Sequence, residues 1–134
     1  MTPTGLTEDA GWEIGVSRTF DLSPDEAWRV VTGPEGLAAW LGTDCLPTEP
    51  GEPYETPDGT TGEIRSYRPG DRLRLTWRPG GWDHDSTVQV AVSATGPKAV
   101  VRFHQERLAS QAERERQRDH WRRAMDALAP LLGS

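Results

Sequence analysis

The sequence predicts a single α+β domain in which an antiparallel sheet closes over a long C-terminal helix. Apolar residues alternate with polar ones through several segments joined by short turns, two stretches carry helix-start signals, and the chain ends in an apolar stripe at helical spacing. At 134 residues the chain has the size of one domain and can bury roughly two thirds of its unfolded surface. The 34% hydrophobic fraction leaves out 14 glycines, and six tryptophans supply large buried areas, so the chain reads as globular rather than disordered.

Residues Met1 to Ala10 are polar without period, and they read as a flexible tail ahead of a domain spanning residues 11–134. Trp12, Ile14, Val16, Phe20 and Leu22 then fall on alternate positions, the period of a half-buried strand, with Arg18 as the one charge on the apolar face. Ser23-Pro24-Asp25-Glu26 offers a hydroxyl at the N-cap, a proline at the first helical position and a carboxylate three residues after the cap. Gly33-Pro34 ends that short helix and starts another, in which Leu37, Trp40 and Leu41 share a face and which Gly42 closes.

Residues 43–62 are rich in proline, glycine and acids, and predict a long loop with one short strand around Tyr54. A strand over Gly62 to Arg68 leads into the turn Pro69-Gly70-Asp71, after which Leu73, Leu75 and Trp77 alternate with polar neighbours. Beyond Pro79-Gly80-Gly81 the alternation returns in Val88, Val90, Val92 and Ala94, and after Gly96-Pro97 in Ala99, Val101 and Phe103. Short connections between successive strands imply an antiparallel meander. Ser110-Gln111-Ala112-Glu113 is a second capping signal, and Trp121, Ala124, Met125, Leu128 and Leu132 form the stripe of the long helix. The first half of that helix, Glu113 to His120, is charged on all sides, so it either projects past the sheet into water, the reading preferred here, or covers a polar cavity mouth.

Charge and composition exclude several classes. The net charge of −6 is spread along the chain without a basic stripe for phosphates, which argues against nucleic acid as a partner. Cys45 is the sole cysteine, and neither an export leader nor a run of about 18 apolar residues is visible, so a reducing cytoplasm and no membrane partner are expected. Lys98 is the single lysine and asparagine is absent, a bias that suggests a high-GC bacterial genome.

The order strand, two short helices, meander and long helix resembles the SRPBCC (START/Bet v1-like) superfamily, in particular its branch related to the activator of Hsp90 ATPase. The resembling residues are Arg18-Thr19-Phe20 with Ser23-Pro24 and Ala27-Trp28, then Gly33-Pro34-Glu35-Gly36-Leu37 through Trp40-Leu41-Gly42. Gly62-Glu63-Ile64, Pro69-Gly70-Asp71-Arg72-Leu73 with Leu75-Thr76-Trp77, and Phe103-His104-Gln105-Glu106-Arg107-Leu108 before the helix bearing Trp121 complete the set. The resemblance implies a helix-grip fold, a sheet gripping the long helix with an apolar cavity between them. Across that superfamily the cavity takes lipids, polyketides, hormones and other hydrophobic molecules.

Trp40, Trp77, Phe103, Trp121 and Met125 fall on inward faces, where they suit either a cavity wall or a plain core. Trp82, in the loop Gly80 to Asp85, is a candidate for the rim. Arg18 can anchor a ligand carboxylate or form an ion pair at the strand end, and Gln105 shares the parity of Phe103 and can offer a neutral polar contact. His84, His104 and His120 lack the short spacings of a metal site, and the parity of His104 sets it on the outer face with Val100 and Arg102. No nucleophile elbow, phosphate loop or dinucleotide fingerprint occurs, so no cofactor is expected.

These readings favour a non-catalytic carrier or sensor of a small hydrophobic molecule. The alternatives are a polyketide cyclase or aromatase, in which Arg18, Tyr67 or a bound water moves protons, and a chaperone partner of Hsp90 type acting in the stress response. A homodimer through a sheet edge or the long helix is compatible with the pattern without being required by it.

Overall fold

The computed structural model describes residues 6–7, by their backbone, and residues 11–133. Seven strands make one antiparallel sheet in the order β1-β2-β7-β6-β5-β4-β3. They are β1 (Leu6–Thr7), β2 (Gly11–Phe20), β3 (Pro53–Glu55), β4 (Thr61–Arg68), β5 (Arg72–Trp77), β6 (Ser86–Thr95) and β7 (Lys98–Leu108). Helices α1 (Pro24–Thr32) and α2 (Pro34–Trp40) follow β2, α3 (Gln111–Leu128) follows β7, and a 3-10 turn, Ala129–Leu132, ends at Gly133. This is the expected α+β helix-grip arrangement, with two short helices after the first long strand. Of the segment expected to be a tail, Leu6 and Thr7 pair with Trp12 and Gly11 as an edge strand, and residues 1–5 and 8–10 lie outside the described residues.

Strands β4 to β7 pair in sequence because each is joined to the next by a connection too short for anything but an antiparallel neighbour. Strand β2 instead pairs with β7, and the chain crosses by α1, α2 and the loop after Gly42 to the opposite edge, where β3 begins. That crossing lays α1 against β6 and β7, while α3 returns across β2 and β7 and packs against α2. The core between these layers includes Phe20, Val31, Leu37, Ile64, Leu73, Leu75, Val88, Val90, Val101 and Leu128.

Local chemistry fixes the helix starts and the close approaches. The Ser23 and Ser110 hydroxyls accept from the backbone N–H of Glu26 and Glu113 at 3.2 and 3.1 Å, the N-cap bonds their sequences predict. Gly36 lets α2 begin directly against α1, since a Cβ there would stand 1.8 Å from the Val30 carbonyl oxygen. Gly42 takes a φ of +88° and its N–H returns to the Leu37 carbonyl at 3.0 Å, closing α2. In β7 a bulge sets Glu106 and Arg107 opposite Glu13 alone, with Arg107 at φ +67°. Gln105 and Leu108 consequently both face inward although they are three residues apart, and the chain is re-aimed toward Ser110.

The first half of α3 does not project into water. Glu113 and Gln117 are buried, one turn apart, on the same stripe as Trp121, and Arg114 Nε donates to the Glu13 carbonyl at 2.7 Å. A polar stripe is buried here because the sheet and its loops supply partners for it: Gln105 for Gln117 and His84 for Glu113.

Candidate functional site

Between sheet and α3 the expected cavity wall is largely a packed aromatic cluster. The rings of Phe103 and Trp121 stack at 5.0 Å with 19° between planes, Trp40 lies 5.5 Å from Phe103 and 6.4 Å from Trp121, and Trp77 lies 5.8 Å from Trp121. Gln105, fully buried, is the polar node of this cluster. Its Oε1 accepts from Trp121 Nε1 at 2.7 Å and from Gln117 Nε2 at 3.1 Å, and its Nε2 donates to Ser86 Oγ at 2.9 Å. The Ser86 hydroxyl in turn donates to the Trp77 carbonyl at 2.6 Å, and Trp40 Nε1 donates to the Val31 carbonyl at 2.9 Å. Each indole N–H and amide named here therefore has a partner, as a buried polar group requires. Phe103, Gln105 and Trp121 meet one another rather than an open space.

Trp40 and Trp77 also open outward, onto a cleft of about 180 Å³. Its walls come from the end of α2 through Gly42, from the β3–β4 turn with Asp58 and Thr60, from the end of β5 at Trp77, and from α3 at His120. The β3–β4 turn is ordered by its own side chains: Thr56 Oγ1 donates to Asp58 Oδ1, and the Thr60 N–H donates to the same oxygen at 3.2 Å. These bonds, the one from the Thr56 hydroxyl foremost, hold the Asp58 carboxyl below its ordinary range and keep it charged. His120 packs against Trp77 at 5.5 Å and edge-on against Trp121 at 4.7 Å, and its Nε2 is buried without a hydrogen-bond partner. Burial first, then the nearby Arg123 guanidinium, lower the His120 pKa against a weaker opposing pull from Asp58, so the ring favours its neutral form.

Trp82, expected at a rim, is half-buried and edge-on to Trp77 at 5.4 Å, and is not among the residues that line the cleft. His84 packs on Trp82 at 4.6 Å and reaches Glu113 on α3 with its Nε2 at 3.0 Å, which ties the β5–β6 loop to the helix. The other candidate residues lie elsewhere. Tyr67 borders a separate hollow of about 240 Å³ with Leu37, Leu73, Cys45 and Leu46. Arg18 is at the surface, where its guanidinium pairs with Asp126 of α3 at 2.7 Å, and it shares a shallow hollow of about 260 Å³ with the otherwise buried Met125. His104 sits on the outer face, 3.7 Å from Glu13.

Two residues of the cleft were not singled out from the sequence as binding residues. Asp58 belongs to Pro57-Asp58-Gly59, a turn signal that marks the β3–β4 hairpin and brings its carboxylate to the cleft. His120 precedes Trp121 at the edge of the apolar stripe, where the charged neighbours Arg118, Asp119 and Arg122 make it read as part of a solvated face.

A curved sheet gripping a C-terminal helix, with helices and a turn framing a cleft at one end, defines a helix-grip domain. The chain belongs to the family described as Activator of Hsp90 ATPase homolog 1-like protein, whose model matches residues 21–133, within the SRPBCC superfamily. Among solved structures it is similar to CalU16 from Micromonospora echinospora, at 22% identity and a TM-score of 0.80, over 95% of this chain and 81% of that one. It is also similar to DynU16, a protein of the dynemicin biosynthetic locus, at 20% identity and a TM-score of 0.76 over 91% of this chain; the chain spans 47% of DynU16. PFC0360w, an HSP90 activator from Plasmodium falciparum, matches at 15% identity with a TM-score of 0.74, over 92% of this chain and 97% of that one. No curated protein sequence matches the chain. Among the described residues no helix is long and apolar enough to cross a membrane.

Proposed function

We propose that the protein binds a small hydrophobic molecule in the cleft framed by Trp40, Trp77 and His120, as a carrier or sensor. The observation that carries this reading is that two large indoles, each otherwise enclosed in the core, face a half-open space of about 180 Å³. A void of about 150 Å³ with apolar walls is enough to hold benzene, so the cleft suits one substituted ring or a fragment of a larger molecule. Trp82 packs edge-on against Trp77, behind the wall that this indole gives the cleft. The occurrence of DynU16 in a biosynthetic locus is in keeping with a small-molecule role. Arg18 and Tyr67, which a cyclase reading employs, open onto hollows separate from this cleft and from each other. We assign the protein to the bacterial cytoplasm, where the exposed Cys45 stays reduced.

The test is native mass spectrometry of gently purified protein beside its denatured mass, followed by titration of apolar single-ring compounds observed at the indole N–H signals of Trp40 and Trp77. An added non-covalent mass, or saturable shifts of those two signals, supports the reading. A bare protein whose indole signals stay fixed overturns it. A second reading, as a partner of an Hsp90-type chaperone, draws on the family description and on PFC0360w. An unchanged ATPase rate of the cognate chaperone at saturating protein removes it.

A further inference from the structure

We propose that the cleft selects ring-bearing molecules that present a hydrogen-bond donor, such as a phenolic hydroxyl, and discriminates against carboxylates. This deepens the ligand-binding reading above and rests on it. The cleft's walls are apolar where Trp40, Leu41 and Trp77 form them, and the polar side chains that break that surface are Asp58 and Thr60 of the β3–β4 turn and His120 on α3. An ionised carboxylate only accepts hydrogen bonds. The Thr56 hydroxyl and the Thr60 N–H already converge on Oδ1 of Asp58, so the carboxylate is fixed in place by donors from its own turn rather than left to swing into solvent. A neutral imidazole accepts through the ring nitrogen that lacks its proton, and Nε2 of His120, in the ring that lines the cleft, is buried without a partner.

An unpartnered buried polar atom is costly, and a ligand that supplies its missing bond recovers that cost on binding. A hydroxyl or amine entering between the indoles meets the charged acceptor Asp58 at the mouth and the neutral His120 ring on α3, whose Nε2 accepts when the proton sits on Nδ1. The corresponding methyl ether meets the same apolar walls but donates nothing. A ligand carboxylate meets the like charge of Asp58 at an exposed turn, where water and salt screen part of the repulsion, in a chain whose net charge is already −6. The discrimination therefore arises from the lining of the cleft, which holds Asp58 and no lysine or arginine; the Arg123 guanidinium, which acts on His120, is not part of that lining.

Three para-substituted ethylbenzenes separate these contributions: 4-ethylphenol, 4-ethylanisole and 4-ethylbenzoate, each titrated into the full chain at pH 7.5 and read at the Trp40 and Trp77 indole N–H signals. The phenol binds about tenfold more tightly than the ether, the ratio expected of one hydrogen bond to such an acceptor, and the benzoate binds most weakly. In His120→Phe, which keeps a ring against Trp77 and Trp121, the phenol falls toward the ether. In Asp58→Asn, a change at an exposed turn, the benzoate gains relative to both. Equal affinity of phenol and ether in the wild-type protein overturns the donor selection while leaving an apolar binding site in place. A benzoate that binds as well as the phenol overturns the discrimination against carboxylates. If none of the three shifts either indole signal, the binding reading falls and this inference with it.

Discussion

The indole N–H of Trp121 donates to Oε1 of Gln105 across 2.7 Å, fastening α3 to the middle of β7 at one polar point within an aromatic interior. The same oxygen holds Gln117, and the amide nitrogen holds Ser86, so one side chain satisfies groups from β6 and from two turns of the helix. Replacing Gln105 by leucine preserves most of its volume but strands the Trp121 N–H and the Gln117 amide in a water-free site. The expected loss is about 3 kcal/mol of folding free energy, since each stranded group costs on the order of 1–3 kcal/mol. Urea denaturation of the variant measures it, and a loss under about 1 kcal/mol means that water or a local shift replaces the bonds.

Most of the fold was legible because its signals are periodic and local. Alternation located β2 and β5 to β7, the two serine caps located α1 and α3, and glycine–proline pairs located the joints between elements. What escaped is what depends on partners distant in sequence. Glu113 and Gln117 read as solvated because their type is polar, yet Gln105 and His84, on β7 and on the β5–β6 loop, make their burial affordable. Arg18 was recognised as anomalous, with an ion pair as one explanation, but Asp126 lies 108 positions away and no spacing identifies it. The cleft itself was half visible: Trp40 and Trp77 follow from helical spacing and strand parity, whereas Asp58 and His120 become neighbours only once the hairpin has folded against α3 and the end of β5.

Gly36 is expected to be the most sensitive glycine at a helix start. Its Cα faces the Val30 carbonyl so closely that an added methyl group would stand 1.8 Å from the oxygen and 2.8 Å from its carbon, both backbone atoms that cannot rotate aside. Gly36→Ala must push α2 away from α1 and should cost about 2 kcal/mol or more, within the usual penalty for overpacking. Thermal denaturation checks it; an unchanged midpoint shows that the helix pair accommodates the group by sliding.

Glu113 joins three pieces of structure. Its backbone N–H takes the Ser110 cap, its Oε1 accepts from the Ala109 N–H at 3.0 Å, and its carboxylate meets His84 beneath Trp82. Glu113→Ala removes the side-chain half of this arrangement, at an expected cost of about 1–2 kcal/mol for the lost acceptor and cap. The loop bearing Trp82 then loses its tie to α3, and tryptophan emission should shift to longer wavelength as that indole becomes more hydrated. Stability loss without a spectral shift would mean that packing on Trp77 alone holds the loop.

The Arg18–Asp126 pair should matter little to stability. Both side chains are substantially exposed, so water and salt screen their attraction, and Asp126→Asn is expected to change folding free energy by less than about 1 kcal/mol. Because the pair borders a hollow distinct from the cleft of Trp40 and Trp77, the same variant should leave ligand titrations at those indoles unchanged. A strong effect on binding would relocate the site toward Arg18 and Met125.

His120 should make stability fall as the solution is acidified. Its burial between Trp77, Trp121 and the cleft, with Arg123 nearby, disfavours the protonated ring in the folded protein, only partly offset by Asp58. In the unfolded chain the ring is free to take a proton near its ordinary pKa of about 6.5. Below that point the unfolded state holds more protons than the folded one, and acid therefore favours unfolding. The contribution is fully present above about pH 6.5 and is lost progressively as the pH falls toward and through the lowered value in the fold. Urea midpoints measured from pH 7.5 down to pH 5 should decline more steeply for the wild-type protein than for His120→Phe, which cannot titrate there. Parallel declines would show that the ring takes its proton as easily when folded, as it would if the cleft stays wet around Nε2.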